Sequence, residues 1–131
     1  GDTLNVRMGS EISKVRVIGI NTPETVDPRR PVGCFGSEAS QQAKRLLTGQ
    51  SVWLEADGTQ DETDKYGRLL AFVWIDNSTD FGLQMIRDGF AKEYTYKLPY
   101  RYQETYRSAE RAARKAGVGL WGPSTCAGNT G

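Results

Sequence analysis

An arginine inside an apolar strand is the feature of this chain that most restricts its fold. Residues Val15 to Thr25 read Val-Arg-Val-Ile-Gly-Ile-Asn-Thr-Pro-Glu-Thr. Strand side chains alternate between faces. A strand over Ile12 to Ile20 therefore sets Val15, Val17, Gly19 and Asn21 on one face, and Arg16, Ile18 and Ile20 on the other. The second face turns Arg16 toward the interior or a cleft in it. An inward guanidinium needs an anionic partner, because an unpaired buried charge is prohibitively costly. That partner is either a structural carboxylate or a bound phosphate. Just beyond, Pro23 holds an elbow carrying Asn21, Thr22 and Glu24. A fixed cation beside clustered oxygen ligands is half of what metal-assisted phosphodiester cleavage requires.

The remaining elements follow from periodicity and punctuation. Thr3 to Met8 alternates as a strand, and Gly9-Ser10 turns it back. Asp27 to Gly36 reads as a loop with a basic pair, Arg29-Arg30. Ser37 is the expected N-cap of a helix running to Thr48, with Gly49 as its stop. Ser51 to Ala56 is a strand, followed by an acidic loop. Arg68 to Ile75 is the most β-prone run in the chain. A short helix covers Asp80 to Arg87, and a fifth strand is expected near Phe90 to Tyr96. The last helix covers Tyr102 to Ala116. Its stripe of Tyr106, Ala109, Ala113 and Ala116 permits close packing, and Gly117 ends it. Strands followed by helices indicate an α+β domain, and a five-stranded Greek-key barrel ringed by helices fits the pattern. The domain is expected over residues 1–121, with a Gly/Ser/Thr-rich tail over 122–131. The first strand starts at the first residue, so it is expected to be truncated. The absence of an initiator Met is that of a mature form or a fragment.

Charge and rare residues narrow the chemistry. Net charge is only +1, but it is unevenly spread. Leu54 to Asp64 carries five acidic residues and no basic one, whereas Lys97 to Lys115 is rich in Arg. Such polarity can steer a polyanion, but from charge alone a solvated helix face beside an acidic loop is the favoured reading. The chain has no histidine, which removes the usual general base and zinc ligand. Cys34 and Cys126 are either a single disulfide or two separate thiols. No apolar run approaches membrane-spanning length.

Hydrolysis of a phosphodiester needs an activated water and cations around the developing charge. Asp2, Asn21, Glu24 and the Thr22 carbonyl form an all-oxygen set, suited to Ca²⁺ rather than a transition metal. Glu24 is the evident general base, and Arg16 can fork a phosphate oxygen. A second group lies at Thr63-Asp64-Lys65-Tyr66-Gly67-Arg68. Gly67 permits a turn that delivers Arg68 to the start of a strand. Lys65 and Tyr66 at the tip offer a cation and an aromatic ring to a nucleotide. An ordinary polar hairpin would look the same.

Taken in order, these motifs resemble the staphylococcal (thermo)nuclease family. They are Gly1-Asp2-Thr3, Arg16 followed by Asn21-Thr22-Pro23-Glu24-Thr25, Gly36-x-Glu38-Ala39-Ser40, Thr63 to Arg68 with Leu70-Ala71, and Tyr94-x-Tyr96-Lys97. The likeness runs from Gly1 to about Trp121. It implies an OB-type barrel with three helices, and Ca²⁺-dependent cleavage of single- and double-stranded DNA and RNA that leaves 3′-phosphate ends. By position, Arg16 and Arg68 match the phosphate-binding arginines, and Glu24 matches the glutamate assigned as general base. Asp2 and the Thr22 carbonyl match Ca²⁺ ligands. Lys65, Tyr66, Tyr94 and Tyr96 match residues around the nucleotide. Asn21 stands where the family has a second ligating aspartate, so weaker or less selective Ca²⁺ binding is expected. The resemblance also implies sequence upstream of Gly1 that completes the first barrel strand. Cys34 and Cys126 have no counterpart in the family's best-known member. They are read as a disulfide tying the loop before the first helix to the tail, in a secreted or cell-envelope monomer. The rival reading is a non-catalytic nucleic-acid- or protein-binding module on the same fold. The presence of Arg16, Glu24, Arg68 and Asp2 together favours the enzyme. A plain OB-fold single-strand binder would use the tyrosines but leave Arg16 and the carboxylates unexplained.

Overall fold

The computed structural model describes residues 2–23, 25 and 32–131. Its β-prone run, β5 (Leu69–Trp74), is central in a sheet of order β1-β2-β5-β4. The hairpin of β1 (Thr3–Met8) and β2 (Glu11–Val17) sets Thr3 opposite Arg16. β2 then runs parallel to β5, with Arg16 opposite Leu70, and β4 (Trp53–Glu55) runs antiparallel on the other side. A separate two-stranded ladder joins β3 (Ile20–Asn21) to β6 (Lys92–Glu93). The expected fifth strand is thus reduced to two residues. Among the described residues, the strands form a four-stranded mixed sheet and this ladder.

The strand expected over Ile12 to Ile20 is two strands divided at Ile18-Gly19. Gly19 has φ +88°, and a Cβ there would meet the rings of Tyr100 and Tyr106 at 2.7 Å. Only glycine satisfies both the backbone and the space. The Ile18 N–H still donates to Ala71 in β5, whereas the Gly19 carbonyl accepts from the N–H of Tyr94 beside β6. The bend hands the chain from one sheet to the other. It also ends the alternation, since Val15, Val17, Ile18 and Ile20 are all buried.

Three helices pack on these strands: α1 (Gly36–Leu47), α2 (Phe81–Arg87) and α3 (Gln103–Ala116). Ser37 is not the cap of α1. The turn Gly33–Gly36 starts the helix two residues earlier, with Phe35 at the cap in the left-handed region and no side-chain cap bond. Asp80 does cap α2, accepting from the Leu83 N–H. It also accepts the hydroxyl of fully buried Tyr106 at 2.7 and 2.9 Å. Phe72, Tyr100, Tyr102 and Tyr106 form an aromatic cluster with ring centroids 4.7 to 6.3 Å apart. Of the stripe on α3, Tyr106 and Ala113 are buried and Ala109 partly so, while Ala116 is exposed.

Cys34 and Cys126 form a disulfide across 92 residues of sequence. It ties the segment before α1 to the tail. The tail folds back on the body: the Gly128 N–H donates to the Leu120 carbonyl, and Lys92 Nζ donates to the Gly128 carbonyl at 2.7 Å. No helix among the described residues is long and apolar enough to cross a membrane.

Candidate active site

Arg16 is held chiefly by the bend that follows it. Its Nη1 donates to the carbonyls of Val17 at 2.7 Å and Ile20 at 2.9 Å. Its Nη2 reaches Asn21 Oδ1 at 3.4 Å and lies 3.7 Å from Asp2 Oδ2. The anion expected for this guanidinium is therefore present as Asp2, but the shortest contacts are to neutral carbonyls. The arginine satisfies acceptors that the turn leaves open. The Tyr94 ring lies 5.7 Å from the guanidinium carbon, within cation–π range. The pKa of Arg16 is lowered, first by burial, against the raising influence of Asp2, and further by the charge of Arg68. It stays cationic, since its reference value is so high.

Asp2 sits at the end of the β1–β2 ladder, where its carbonyl accepts from the Val17 N–H at 2.9 Å. Among the described residues its carboxylate receives long contacts: the Thr22 N–H at 3.3 Å, the Thr3 hydroxyl at 3.5 Å and Arg16 Nη2 at 3.7 Å. Asn21 is exposed and turns its amide oxygen to Arg16, the orientation that a guanidinium donor requires. Asp2 therefore meets Thr22 directly and shares Arg16 Nη2 with Asn21. No group of three His, Cys, Asp or Glu side chains able to hold a metal occurs among the described residues. One carboxylate, an amide oxygen and a backbone carbonyl nevertheless fit a hard cation that keeps several waters. Glu24, the expected base and fourth ligand, lies outside the described residues.

Arg68 is held by side chains. Its Nε donates to Asp64 Oδ2 at 2.6 Å, and its Nη1 to the Thr3 hydroxyl at 2.8 Å. The other Asp64 oxygen accepts the backbone N–H groups of Tyr66 and Arg68, both at 2.9 Å. Gly67, at φ +79°, closes this turn. Desolvation raises the Asp64 pKa, but the hydrogen bonds from Arg68 and Tyr66 outweigh it and hold the carboxyl below its usual range. The Tyr66 ring is 5.2 Å from both the Arg68 guanidinium carbon and Lys65 Nζ. Arg16 faces Thr3 across β1–β2 and Leu70 across β2–β5. Period two then brings Thr3, Arg16 and Arg68 to one face of the sheet.

The tyrosines divide. Tyr66 and Tyr94 are exposed beside Arg68 and Arg16, Tyr96 is exposed beside Lys97, and Tyr100 and Tyr106 are core. The acidic loop divides too. Glu55 accepts from Trp74, Arg101 and Tyr102, Asp57 accepts the Arg101 N–H, and Asp64 anchors Arg68. Those charges serve internal bonds rather than a repulsive surface. Sequence reasoning missed the anchoring by Asp64. Its signal was an aspartate two residues before Tyr66 and four before Arg68 in a glycine turn, the setting in which Asp bonds local N–H groups.

Two anchored guanidiniums beside a cluster of hard oxygen donors can hold a phosphate next to a divalent cation, which is the equipment of a phosphoryl-transfer enzyme. The family model for Staphylococcal nuclease homologues matches residues 14–123. The chain belongs to the staphylococcal nuclease family. It is 40% identical over 121 residues to the thermonuclease of Staphylococcus hyicus, covering 92% of this chain and 70% of that protein. With the thermonuclease of Staphylococcus intermedius it shares 36% identity over the same proportions. With Endonuclease YncB of Bacillus subtilis it shares 33% over 132 residues, all of this chain and 62% of that protein.

Proposed function

We propose that the chain is a Ca²⁺-dependent nuclease that hydrolyses DNA and RNA, single- or double-stranded, to products with 3′-phosphate ends. The observation that carries this reading is the joint anchoring of Arg16 and Arg68 beside Asp2, in a family whose named relatives are thermonucleases and endonucleases. Family membership also supports the OB-type arrangement, with the sheet and the β3–β6 ladder as parts of one barrel.

In this reading, Asp2, Asn21, the Thr22 carbonyl and Glu24 hold Ca²⁺. The ion, when bound, supplies positive charge to a phosphate oxygen and to the attacking water. Glu24 takes the proton of that water as it adds to phosphorus. Arg16 and Arg68 stabilise the charge that builds on the phosphoryl oxygens, where preorganised donors act most strongly. The P–O5′ bond breaks, the departing oxygen gains a proton, and the phosphate stays on the 3′ side. Lys65, Tyr66, Tyr94 and Tyr96 contact the neighbouring nucleotide by charge and stacking. The Cys34–Cys126 disulfide supports an oxidising location, hence a secreted or cell-envelope protein.

The test is cleavage of plasmid DNA and of RNA with Ca²⁺, with EGTA, and with Mg²⁺ in place of Ca²⁺, followed by analysis of product ends. Ca²⁺-stimulated cleavage leaving 3′-phosphates is expected. A folded protein that binds nucleic acid without cutting it would instead establish the binding-module reading. Intact-mass measurement of exported protein should be lower by the mass of two hydrogens before reduction than after.

A further inference from the structure

Thr3 stands between the two halves of the site and has no role in the mechanism above. Its hydroxyl accepts from Arg68 Nη1 at 2.8 Å, a bond between residues 65 apart in sequence. The same hydroxyl donates its proton toward Asp2 Oδ1 at 3.5 Å. Thr3 also lies directly opposite Arg16 in the β1–β2 ladder. One hydroxyl therefore touches the second arginine, approaches the candidate metal ligand, and belongs to the residue paired across the ladder with the first arginine. A single hydroxyl can donate once and accept at the same time, so the two contacts are compatible.

The geometry of Arg68 gives this contact its consequence. A guanidinium is planar, so fixing two of its three nitrogens fixes the plane. Asp64 takes Nε at 2.6 Å, and Thr3 takes Nη1. With Asp64 alone, the planar group retains torsion about the Cδ–Nε bond and swing of the side chain, and no partner opposes the slow exchange of its two Nη groups. With Thr3 as well, its orientation is set by the start of β1, which Asp2 immediately precedes. We propose that Thr3 is a positioning residue: it aligns the Arg68 guanidinium with the metal-ligating Asp2, so that both meet the same phosphate. This rests on the nuclease reading above and names a further residue for it.

Position and charge argue for alignment rather than simple packing. Thr3 is only partly buried at the end of an edge strand, so its methyl group adds little to the core. A hydrogen bond to a charged group is among the stronger side-chain contacts. A phosphate contact that matters most in the transition state amplifies small errors of orientation.

The test uses Thr3→Val, which keeps the β-branched shape and removes the hydroxyl, and Thr3→Ser, which keeps the hydroxyl. Single-turnover cleavage with saturating Ca²⁺ should slow roughly tenfold in Thr3→Val, as for loss of one charge-assisted bond, and recover most of the way in Thr3→Ser. In an Arg68→Ala background, adding Thr3→Val should change the rate by less than about twofold, because the effect passes through Arg68. Rotation about the Arg68 Nε–Cζ bond, followed by side-chain NMR, should be faster in Thr3→Val than in the parent. Equal loss with and without Arg68, or unchanged NMR rotation, overturns the proposal. If the parent itself shows no cleavage, the nuclease reading fails, and the NMR result alone still decides whether Thr3 orients Arg68. Should Thr3→Val fail to fold, the same two measurements on Thr3→Ala decide the matter.

Discussion

Arg16 and Arg68 bring the same group to one face of the sheet, but the chain holds them differently. Arg16 is bonded to the carbonyls of Val17 and Ile20, which the Gly19 bend exposes to it. Arg68 is bonded to Asp64 and Thr3, two side chains on a turn and an edge strand. Their side-chain exposures differ accordingly, 13% for Arg16 and 26% for Arg68. The first arginine is part of the fold's corner, and the second is mounted on it. A cation that satisfies backbone acceptors couples stability to function. A cation held by side chains can be lost with little harm to the fold.

That contrast can be broken by experiment. Arg16→Ala should lower single-turnover cleavage by about a thousandfold, the upper range for removing one preorganised donor. It should also destabilise the protein by about 1–3 kcal/mol in denaturant unfolding, since two carbonyls lose their donors. Arg16→Lys should restore little, because an ammonium does not reproduce the fork. Arg68→Ala should cost about a hundredfold in rate, with unfolding changed by less than about 0.5 kcal/mol, as for surface substitutions. Equal destabilisation by both variants would erase the distinction.

Two smaller effects sharpen it. Asn21→Asp adds a negative charge to the elbow at the Arg16 end, so the Ca²⁺ concentration for half-maximal activity should fall about tenfold, following ligand charge count. No change, or a rise, would mean that the oxygen of residue 21 serves Arg16 and not the metal. At the Arg68 end the relevant group is Asp64, whose pKa is depressed in the folded state. A depressed carboxyl contributes stability above its unfolded pKa of about 3.9 and loses it as pH falls through the lower folded value. Asp64→Asn should therefore be less stable than the parent at neutral pH, and the gap should close on acidification below about pH 4. A gap that persists at lower pH would show that its charge is not what stabilises the turn.

Much of this was legible in the sequence because it rests on local chemistry. The β1 strand, the β5 run, the short helix beginning near Asp80 and the Gly117 stop follow from alternation, propensity and punctuation, and the structure has them. What was hidden depends on tertiary packing. An apolar run buried on both sides gives no periodic sign of a bend, so the break at Ile18-Gly19 could not be read from Val15 to Ile20. The tyrosines look alike in sequence, and only the packing of α3 against β5 divides core Tyr106 from exposed Tyr96. The Ser37 cap was displaced to Phe35, two residues earlier, by the turn before the helix. The Thr3–Arg68 bond spans 65 residues, and no local pattern announces it.

The central claim is that both arginines and the oxygen elbow act on one phosphate. A crystal structure of the chain with Ca²⁺ and a nucleotide analogue tests it most directly. Ca²⁺ is expected on Asp2 and the Thr22 carbonyl, with the guanidiniums of Arg16 and Arg68 on oxygens of the same phosphate, and Thr3 still bonded to Arg68. A phosphate bound by only one of the two arginines, or a Ca²⁺ ion seated away from Asp2, would contradict it.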